Sequence, residues 1–182
     1  MNKIKPLQRY FYNKKYSTND SNVNFLYMAG EGTSSIVTVL PSQPLTDYAK
    51  EYHGDIYSIE HRFYGKSRPF NDTSVESLKY LSSRQALEDV VQLINYINNQ
   101  KKTPQKWIIV GGSYSAAWAR LYHPQLIQGA IASSGPFLAQ VDFYGKKIID
   151  CDIRVNIVSK GFSEARDLFN SQEGREKLTQ TF

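Results

Sequence analysis

The sequence of 182 residues is poor in the residue types that form disulfides or bind metals, with one cysteine and three histidines. The single Cys151 excludes a disulfide within the chain, and His53, His61 and His123 are too far apart in sequence to fit a metal-binding spacing. We therefore expect neither a metal nor another cofactor. No apolar run is long enough to span a membrane, and residues 1–6 lack the apolar segment of a signal peptide.

Charge of one sign is not concentrated anywhere along the chain. There are 22 lysines and arginines against 17 aspartates and glutamates, which gives a formal net charge of +5. The basic residues occur as scattered pairs, whereas nucleic-acid binding needs a basic face or a recognisable motif. We expect a solvated surface and no nucleic-acid partner.

Apolar and aromatic residues are abundant: 41% of the chain is hydrophobic, and it includes 13 tyrosines and 9 phenylalanines. This composition and length are typical of one domain with a sizeable core. Short apolar runs without period-two alternation are interspersed with helical patterns, which predicts an α/β fold with a mostly parallel sheet covered on both faces. The predicted strands are 23–29, 55–60 and 106–110, and 129–136 is predicted as a strand with a turn. The predicted helices are 44–52, one starting after Ser82, and 114–122.

The helix after Ser82 has the clearest local pattern. Ser82 and Gln85 fit a capping box, in which the serine caps the first turn and the glutamine reaches back to it. We expect the apolar stripe that follows at spacings of three and four residues to pack on the sheet. The stripe comprises Leu87, Val90, Val91, Ile94 and Ile97.

The most informative segment is an apolar strand that ends in Gly111-Gly112-Ser113-Tyr114, followed by small residues. A strand, a sharp turn with one serine and a helix are the context of a nucleophile elbow. Such a tight turn needs small neighbours. It would expose the Ser113 hydroxyl and direct the backbone N–H of Tyr114 towards a developing oxyanion.

A simpler interpretation of this turn is also open. Ser115 stands where the elbow pattern G-x-S-x-G has its last glycine, which weakens the match. In this second interpretation Ser113 only caps the helix behind the strand. The other loops favour the nucleophile, because residues 30–32, 60–65 and 112–114 all follow predicted strands. Ligands bind at the carboxyl ends of parallel strands, so these loops should converge on one crevice.

These segments resemble the serine carboxypeptidase family of lysosomal Pro-X carboxypeptidase, dipeptidyl peptidase II and thymus-specific serine protease, most closely the thymus-specific type. They follow the family order from about Gln8 to Asp152. The most specific pair is Glu60-His61-Arg62-Phe63-Tyr64-Gly65 together with the Gly-Gly-Ser-Tyr turn. The other segments are Gln8-Arg9-Tyr10-Phe11, Gly30-Glu31-Gly32, Leu81-Ser82-Ser83-Arg84-Gln85-Ala86-Leu87, Ala116-Ala117-Trp118-Ala119-Arg120 and Ala132-Ser133-Ser134.

The resemblance implies a partial α/β-hydrolase fold, with residues 1–140 as the N-terminal part of that domain and residues 141–182 as the start of a helical insertion. It also implies a serine-type exopeptidase that forms an acyl-enzyme, with a peptide as its partner. Some members cleave next to proline near a peptide terminus. The implied site residues are Ser113 as nucleophile, Tyr114 as a backbone oxyanion donor, and Gly30, Glu31 and Gly32 as an oxyanion or substrate loop.

The family also implies a secreted or lysosomal location. Two glycosylation sequons, at Asn19 and Asn71, would matter on that route. The chain departs from the family in having about three residues fewer between Tyr114 and Ala116, which shortens a helix by about 4.5 Å and turns it by roughly 60°. The partner that the family has for Cys151 is missing, with Phe162 near that place, so we expect a free thiol or a small buried residue.

The largest departure concerns the triad, whose order in this fold is Ser, Asp, His. Only His123 follows Ser113, and ten helical residues separate them by about 15 Å, whereas a general base lies about 2.6–3.2 Å from its hydroxyl. His61 is interpreted as structural support near the crevice. We therefore expect the N-terminal part of a longer enzyme, inactive by itself. The alternative is a catalytically inactive relative that acts as a binding protein.

Overall fold

Five strands form one sheet in the order β1-β3-β2-β4-β5. The structure, a computed structural model, describes residues 7–41 and 43–135. Strands β2 to β5 are parallel where they pair, and β1 pairs antiparallel with β3 at the edge. The strands are β1 Tyr10–Asn13, β2 Val23–Met28, β3 Asp55–Ile59, β4 Lys106–Gly112 and β5 Gly129–Ser133. The helices are α1 Leu45–Glu51, α2 Val75–Leu78, α3 Ser83–Asn98 and α4 Ser115–Tyr122, with a 3-10 turn at Ile36–Val39.

This architecture confirms the predicted α/β fold with a mostly parallel sheet, but two elements escaped sequence analysis. The segment Tyr10–Asn13 has only four residues, and its sequence pattern does not predict a strand. It is a strand because its backbone pairs antiparallel with β3. The four-residue helix Val75–Leu78 begins at Ser74, whose side chain accepts from the Ser77 N–H. Strand β4 also continues beyond the predicted end at Val110, through both glycines to Gly112.

The two faces of the sheet pack on different helices, because consecutive strand residues point to opposite sides. Leu26 and Tyr57 face α3 and α4, whereas Phe25 and Ile56 face α1 and the 3-10 turn. Burial of apolar groups on both faces is the main source of stability for such a layered domain. Coverage is uneven, since four of the five residues of β5 are exposed.

Helix α3 begins as predicted, with the Ser82 hydroxyl accepting from the Gln85 N–H at 3.3 Å. The second half of the capping box is wrong, because the Gln85 side-chain oxygen instead accepts a hydrogen bond from Arg62. The apolar stripe is buried except at Val91, which is half-buried, while Leu93 joins the core. The Gln85 side chain thus binds Arg62, a residue distant in sequence, although the local pattern predicted that it would cap the helix.

Several sequence-based expectations lie outside the described residues. They include the helical segment 141–182, the state of Cys151 and Pro136, the last residue of the strand and turn predicted over 129–136. The strand itself ends at Ser133. Within the described part of the chain, no helix combines the length and apolarity needed to cross a bilayer.

Candidate active site

Ser113 lies in a sharp turn between the end of β4 and the start of α4. Its backbone φ is +55°, in the left-handed region that residues with a Cβ seldom adopt. The residue is exposed. Backbone strain of this kind persists only where the surroundings hold it, and it is characteristic of functional turns. The strand, turn and helix expected for a nucleophile elbow are therefore present at Ser113.

Neighbouring groups fix the turn from both sides. The Ser113 N–H donates to the Ser133 carbonyl at 2.9 Å, and the Ser115 hydroxyl donates to the Gly112 carbonyl at 2.9 Å. A Cβ on Gly111 would lie 2.6 Å from the Ser115 oxygen, so a side chain here would displace the Ser115 hydroxyl from its bond to the Gly112 carbonyl. At Gly112 a Cβ would meet the Ser133 carbonyl only at 3.9 Å, an ordinary contact. The crowding at the turn therefore concerns Gly111.

Tyr114 carries two groups of interest, its backbone N–H and its phenol. Among the described residues none accepts a hydrogen bond from the Tyr114 N–H, which is a candidate oxyanion donor. The phenol is half-buried and contacts the His61 Nε2 at 3.1 Å. Burial raises the pKa of the Tyr114 phenol and the negative charge of Glu31 raises it further. The hydroxyl is therefore protonated at neutral pH and can donate.

His61 has a defined tautomer because of its second partner. Its Nδ1 lies 2.9 Å from the Arg62 carbonyl oxygen, which can only accept, so Nδ1 carries the hydrogen. In the neutral ring Nε2 is then the acceptor for the Tyr114 hydroxyl. Both ring nitrogens are therefore occupied, and Nε2 contacts the residue that directly follows Ser113.

The loop that contains Gly30, Glu31 and Gly32 follows β2 at the same edge of the sheet. The three residues are exposed, and a Cβ on either glycine would have no atom within 4 Å. The loop is attached to the sheet by the Ala29 N–H, which donates to the Ile59 carbonyl at 3.1 Å. Backbone N–H groups in this open loop can therefore be approached by a ligand.

Glu60 follows β3 and is fully buried, although it is charged. Its Oε1 accepts from Arg9 and from the Ser34 N–H at 3.0 Å. Its Oε2 accepts from the N–H groups of Lys66 and Ser67 at 3.0 and 2.9 Å and from the Ser67 hydroxyl at 2.7 Å. Burial alone would raise the pKa of Glu60, but Arg9, Ser67 and the backbone donors outweigh it and lower the pKa. The carboxylate is therefore ionised at neutral pH.

Arg62 fixes the same loop to helix α3. Its guanidinium forms two parallel contacts with Asp89, at 2.7 and 2.6 Å, and a third with the Tyr80 carbonyl at 2.9 Å. The two side chains are only 11% and 17% exposed, so the bidentate ion pair is largely shielded from water. Tyr64, two residues further along the same loop, packs edge-on against His61.

The structure brings the three expected loops to one edge of the sheet. Met28 of β2 is paired with both Ile59 of β3 and Gly111 of β4, so the three strands end side by side. The other two histidines lie elsewhere. His53 follows α1 and precedes the start of β3 at the opposite edge. His123 ends α4, where its Nε2 is 3.7 Å from Glu88.

A cleft of about 500 Å³ lies between the first turns of α3 and the last turns of α4. It includes Trp118, whose ring is 5.0 Å from that of Tyr114, but it does not include Ser113. Within the described residues, no group of three or more histidine, cysteine, aspartate or glutamate side chains could hold a metal ion.

Sequence analysis missed Arg9, Ser34, Glu60 and Ser67 as residues that organise the site. One signal was available, since Glu60 is a carboxylate directly after a strand of buried residues, with Gly65 five positions later. A Cβ on Gly65 would lie 2.0 Å from the Glu60 Oε1, and its φ is +53°. A buried charge needs partners, but the sequence does not say that Arg9 is one of them.

Comparison with known proteins shows which family the sequence matches. The sequence pattern of the family described as serine carboxypeptidase S28 matches residues 2–182. A relative from Caenorhabditis elegans is 38% identical over 190 residues, which is 96% of this chain and 37% of the relative.

Two further relatives have informative names. The thymus-specific serine protease of Mus musculus is 40% identical over 144 residues, covering 75% of this chain and 28% of the relative. The lysosomal Pro-X carboxypeptidase of Bos taurus is 34% identical over 169 residues, covering 87% and 32%. The chain thus spans about a third of the length of the relatives it matches.

Proposed function

The chain belongs to the serine carboxypeptidase S28 family, and we propose that it supplies the nucleophile of a serine-type exopeptidase. The observation that carries this proposal is the exposed Ser113, held with φ at +55° between a buried strand and a helix. A helix cap alone does not require a left-handed residue, since a cap ordinarily has extended backbone. The positive φ thus favours the nucleophile over the cap.

In the proposed reaction the Ser113 oxygen attacks the carbonyl carbon of a peptide bond and loses its proton to a general base. The resulting oxyanion is stabilised by the N–H of Tyr114 and by the loop Gly30, Glu31 and Gly32. In this loop the N–H groups of Gly30 and Glu31 have no acceptor among the described residues, whereas that of Gly32 donates to the Gly30 carbonyl. The C–N bond then breaks, the base returns the proton to the leaving amine, and an acyl-enzyme remains. Water hydrolyses this ester and releases the acid product and the free serine.

The base and its acidic partner are proposed to come from outside the described residues. His61 has both ring nitrogens occupied, and His123 lies at the far end of α4 beside Glu88. In this fold the acid and the histidine follow the serine in sequence. We propose accordingly that residues 1–140 are the N-terminal part of the α/β-hydrolase domain and that 141–182 begin a helical insertion.

The proposed substrates are peptides cleaved near a terminus, next to proline. Support for this choice comes from the name of the bovine relative, a Pro-X carboxypeptidase. The same name supports a lysosomal or secreted location. The sequons at Asn19 and Asn71 lie at exposed residues, where a glycan could be attached on that route.

The test is labelling of the complete protein with a fluorophosphonate probe, which reacts only with a serine activated by a base. Ser113→Ala should abolish labelling. The matched control is Ser134→Ala, since Ser134 is also exposed at this edge with a φ of +54°. The control should retain labelling, and peptide mass spectrometry should find the probe on Ser113.

Two results would count against the proposal. Equal labelling of Ser113→Ala and the unaltered protein would place the reactive serine elsewhere. No labelling of the complete, folded protein would support the second candidate function, a catalytically inactive relative that binds a partner. The observation that favours this alternative is that the histidines of the described region are engaged at Tyr114 or distant from Ser113.

A further inference from the structure

Glu60 contacts three separate segments at the carboxyl edge of the sheet. Oε1 reaches the segment before β1 through Arg9, and the end of the glycine loop through the Ser34 N–H. Oε2 reaches the turn after Gly65 through Lys66 and Ser67. Both oxygens are therefore occupied by donors from parts of the chain that are far apart in sequence.

Ser34 is held at both of its backbone polar groups. Its N–H donates to Glu60 at 3.0 Å, and its carbonyl accepts from the Arg9 guanidinium at 2.8 Å. Arg9 is itself fixed by its own N–H, which donates to the Ser67 hydroxyl at 2.9 Å, and by its carbonyl, which accepts from the Glu60 N–H at 3.0 Å. Ser34 thus has little freedom to shift relative to β3.

Among the described residues, the glycine loop between Ala29 and Ser34 has fewer contacts that fix it. A Cβ on Gly30 or Gly32 would meet no described atom within 4 Å, and the Gly32 N–H donates within the loop to the Gly30 carbonyl at 2.8 Å. The loop is attached to the sheet at Ala29 and to Glu60 at Ser34. If the second attachment is lost, only the first fixes where the N–H groups of Gly30 and Glu31 point.

We infer that Glu60, together with Arg9, is a positioning residue that sets the orientation of the Gly30-Glu31-Gly32 loop for oxyanion stabilisation. The inference rests on the proposed function, since it assigns a role within that reaction. Oxyanion donors act because they are oriented before the charge develops, and tolerances for such groups are about 0.5 Å. Glu60 itself touches neither the nucleophile nor the substrate, and it acts through Ser34.

The strand β3 offers a matched control at its other end. Asp55 is also a buried carboxylate, and it pairs with the Lys101 Nζ at 2.9 Å. Replacing Asp55 removes a buried charge from the same strand at the opposite edge of the sheet. Asp55→Asn therefore measures how much the loss of a buried charge in β3 by itself changes kcat and hydrogen exchange. Glu60→Gln measures that change together with any effect on the glycine loop.

The experiment compares these two variants in the complete protein by steady-state kinetics and by hydrogen exchange of backbone amides in residues 30–35. For Glu60→Gln we expect kcat to fall about 10- to 1,000-fold with little change in KM, because the loss is specific to the transition state. Exchange in residues 30–35 should become faster. Asp55→Asn should keep the kcat of the unaltered protein and its exchange in residues 30–35.

A wild-type kcat in Glu60→Gln overturns the inference, whether or not exchange changes. A lowered kcat with unchanged exchange in residues 30–35 also overturns it, because the loss would not pass through the loop. If the unaltered protein is neither labelled at Ser113 nor active, it is the proposed function that fails. If Glu60→Gln does not fold, Arg9→Met gives the same two readouts, since methionine keeps much of the side-chain length but donates no hydrogen bond to Glu60 or Ser34.

Discussion

The two ends of strand β3 show that the two edges of the sheet are built differently. At the amino end, Asp55 contacts Lys101 and the Tyr57 hydroxyl through Oδ2, while its Oδ1 has no hydrogen-bond partner among the described residues. At the carboxyl end, both oxygens of Glu60 are occupied and together they accept five hydrogen bonds. Asp55 thus has a single charged partner, Lys101, whereas Glu60 connects three segments of the chain.

Backbone strain has the same uneven distribution. Of the residues with positive φ in the described ranges, Phe63, Gly65, Ser113 and Ser134 lie in loops at the carboxyl edge, and His53 lies at the amino edge. Strained conformations persist only where neighbouring groups hold them in place. Four of these five residues thus lie at the edge with the candidate site, where the buried polar contacts of Glu60 join several loops.

The largest loss of stability should come from breaking the Arg62–Asp89 ion pair, near the carboxyl edge of the sheet. Arg62→Ala leaves the Asp89 carboxylate without its bidentate partner, and such a loss destabilises a protein by about 3–5 kcal/mol. Lys101→Ala at the amino edge should cost less, because that pair is a single contact and Lys101 is 26% exposed. Urea unfolding of both variants measures the difference. Equal losses of unfolding free energy in the two variants would mean that the ion pairs at the two edges contribute equally to stability.

Acid should distinguish the two carboxylates of β3. Burial alone would raise the pKa of Asp55, but the nearby Ser17 hydroxyl and the Lys101 ammonium lower it, as the partners of Glu60 lower the pKa of that residue. A carboxyl group with a lowered folded-state pKa stabilises the protein above its unfolded pKa, and this stability is lost as the pH falls through the folded value. The ordinary values are 4.5 for Glu60 and 3.8 for Asp55.

Below pH 4.5 the unaltered protein should therefore lose stability at up to about 1.4 kcal/mol per pH unit from Glu60. Glu60→Gln should flatten this decline from about pH 4.5 downward, and Asp55→Asn only from about pH 3.8. Unfolding midpoints measured at a series of acidic pH values give the slopes. Parallel curves for Glu60→Gln and the unaltered protein would contradict the expected ionisation of Glu60.

The smallest effect concerns strain at the elbow. A residue with a Cβ pays roughly 1–2 kcal/mol in the left-handed region, which glycine avoids, although glycine loses more chain entropy on folding. Ser113→Gly should therefore be more stable than Ser113→Ala by about 1 kcal/mol. Ser115→Gly, in helix α4 without a positive φ, should be less stable than Ser115→Ala. A Ser113→Gly variant no more stable than Ser113→Ala would show that the elbow is not strained.

Sequence patterns predicted much of the central sheet, because strands β2, β3 and β4 are short apolar runs that end in polar or glycine-rich loops. They also predicted the start of α3 at Ser82 and the position of Ser113 between a strand and a helix. They failed for β1, whose pairing with β3 is not visible in its own residues. Gln85 fitted a local cap, yet Arg62 is its partner.

The sequence by itself determined the period and polarity of each element, since these depend on neighbours a few residues apart. It therefore determined the layered α/β architecture and the small residues around Ser113. Only the tertiary structure decided which distant side chains meet: Arg9 with Glu60, Arg62 with Asp89, and His61 with Tyr114. These contacts depend on strand order and register, which bring together residues that lie between 27 and 53 positions apart.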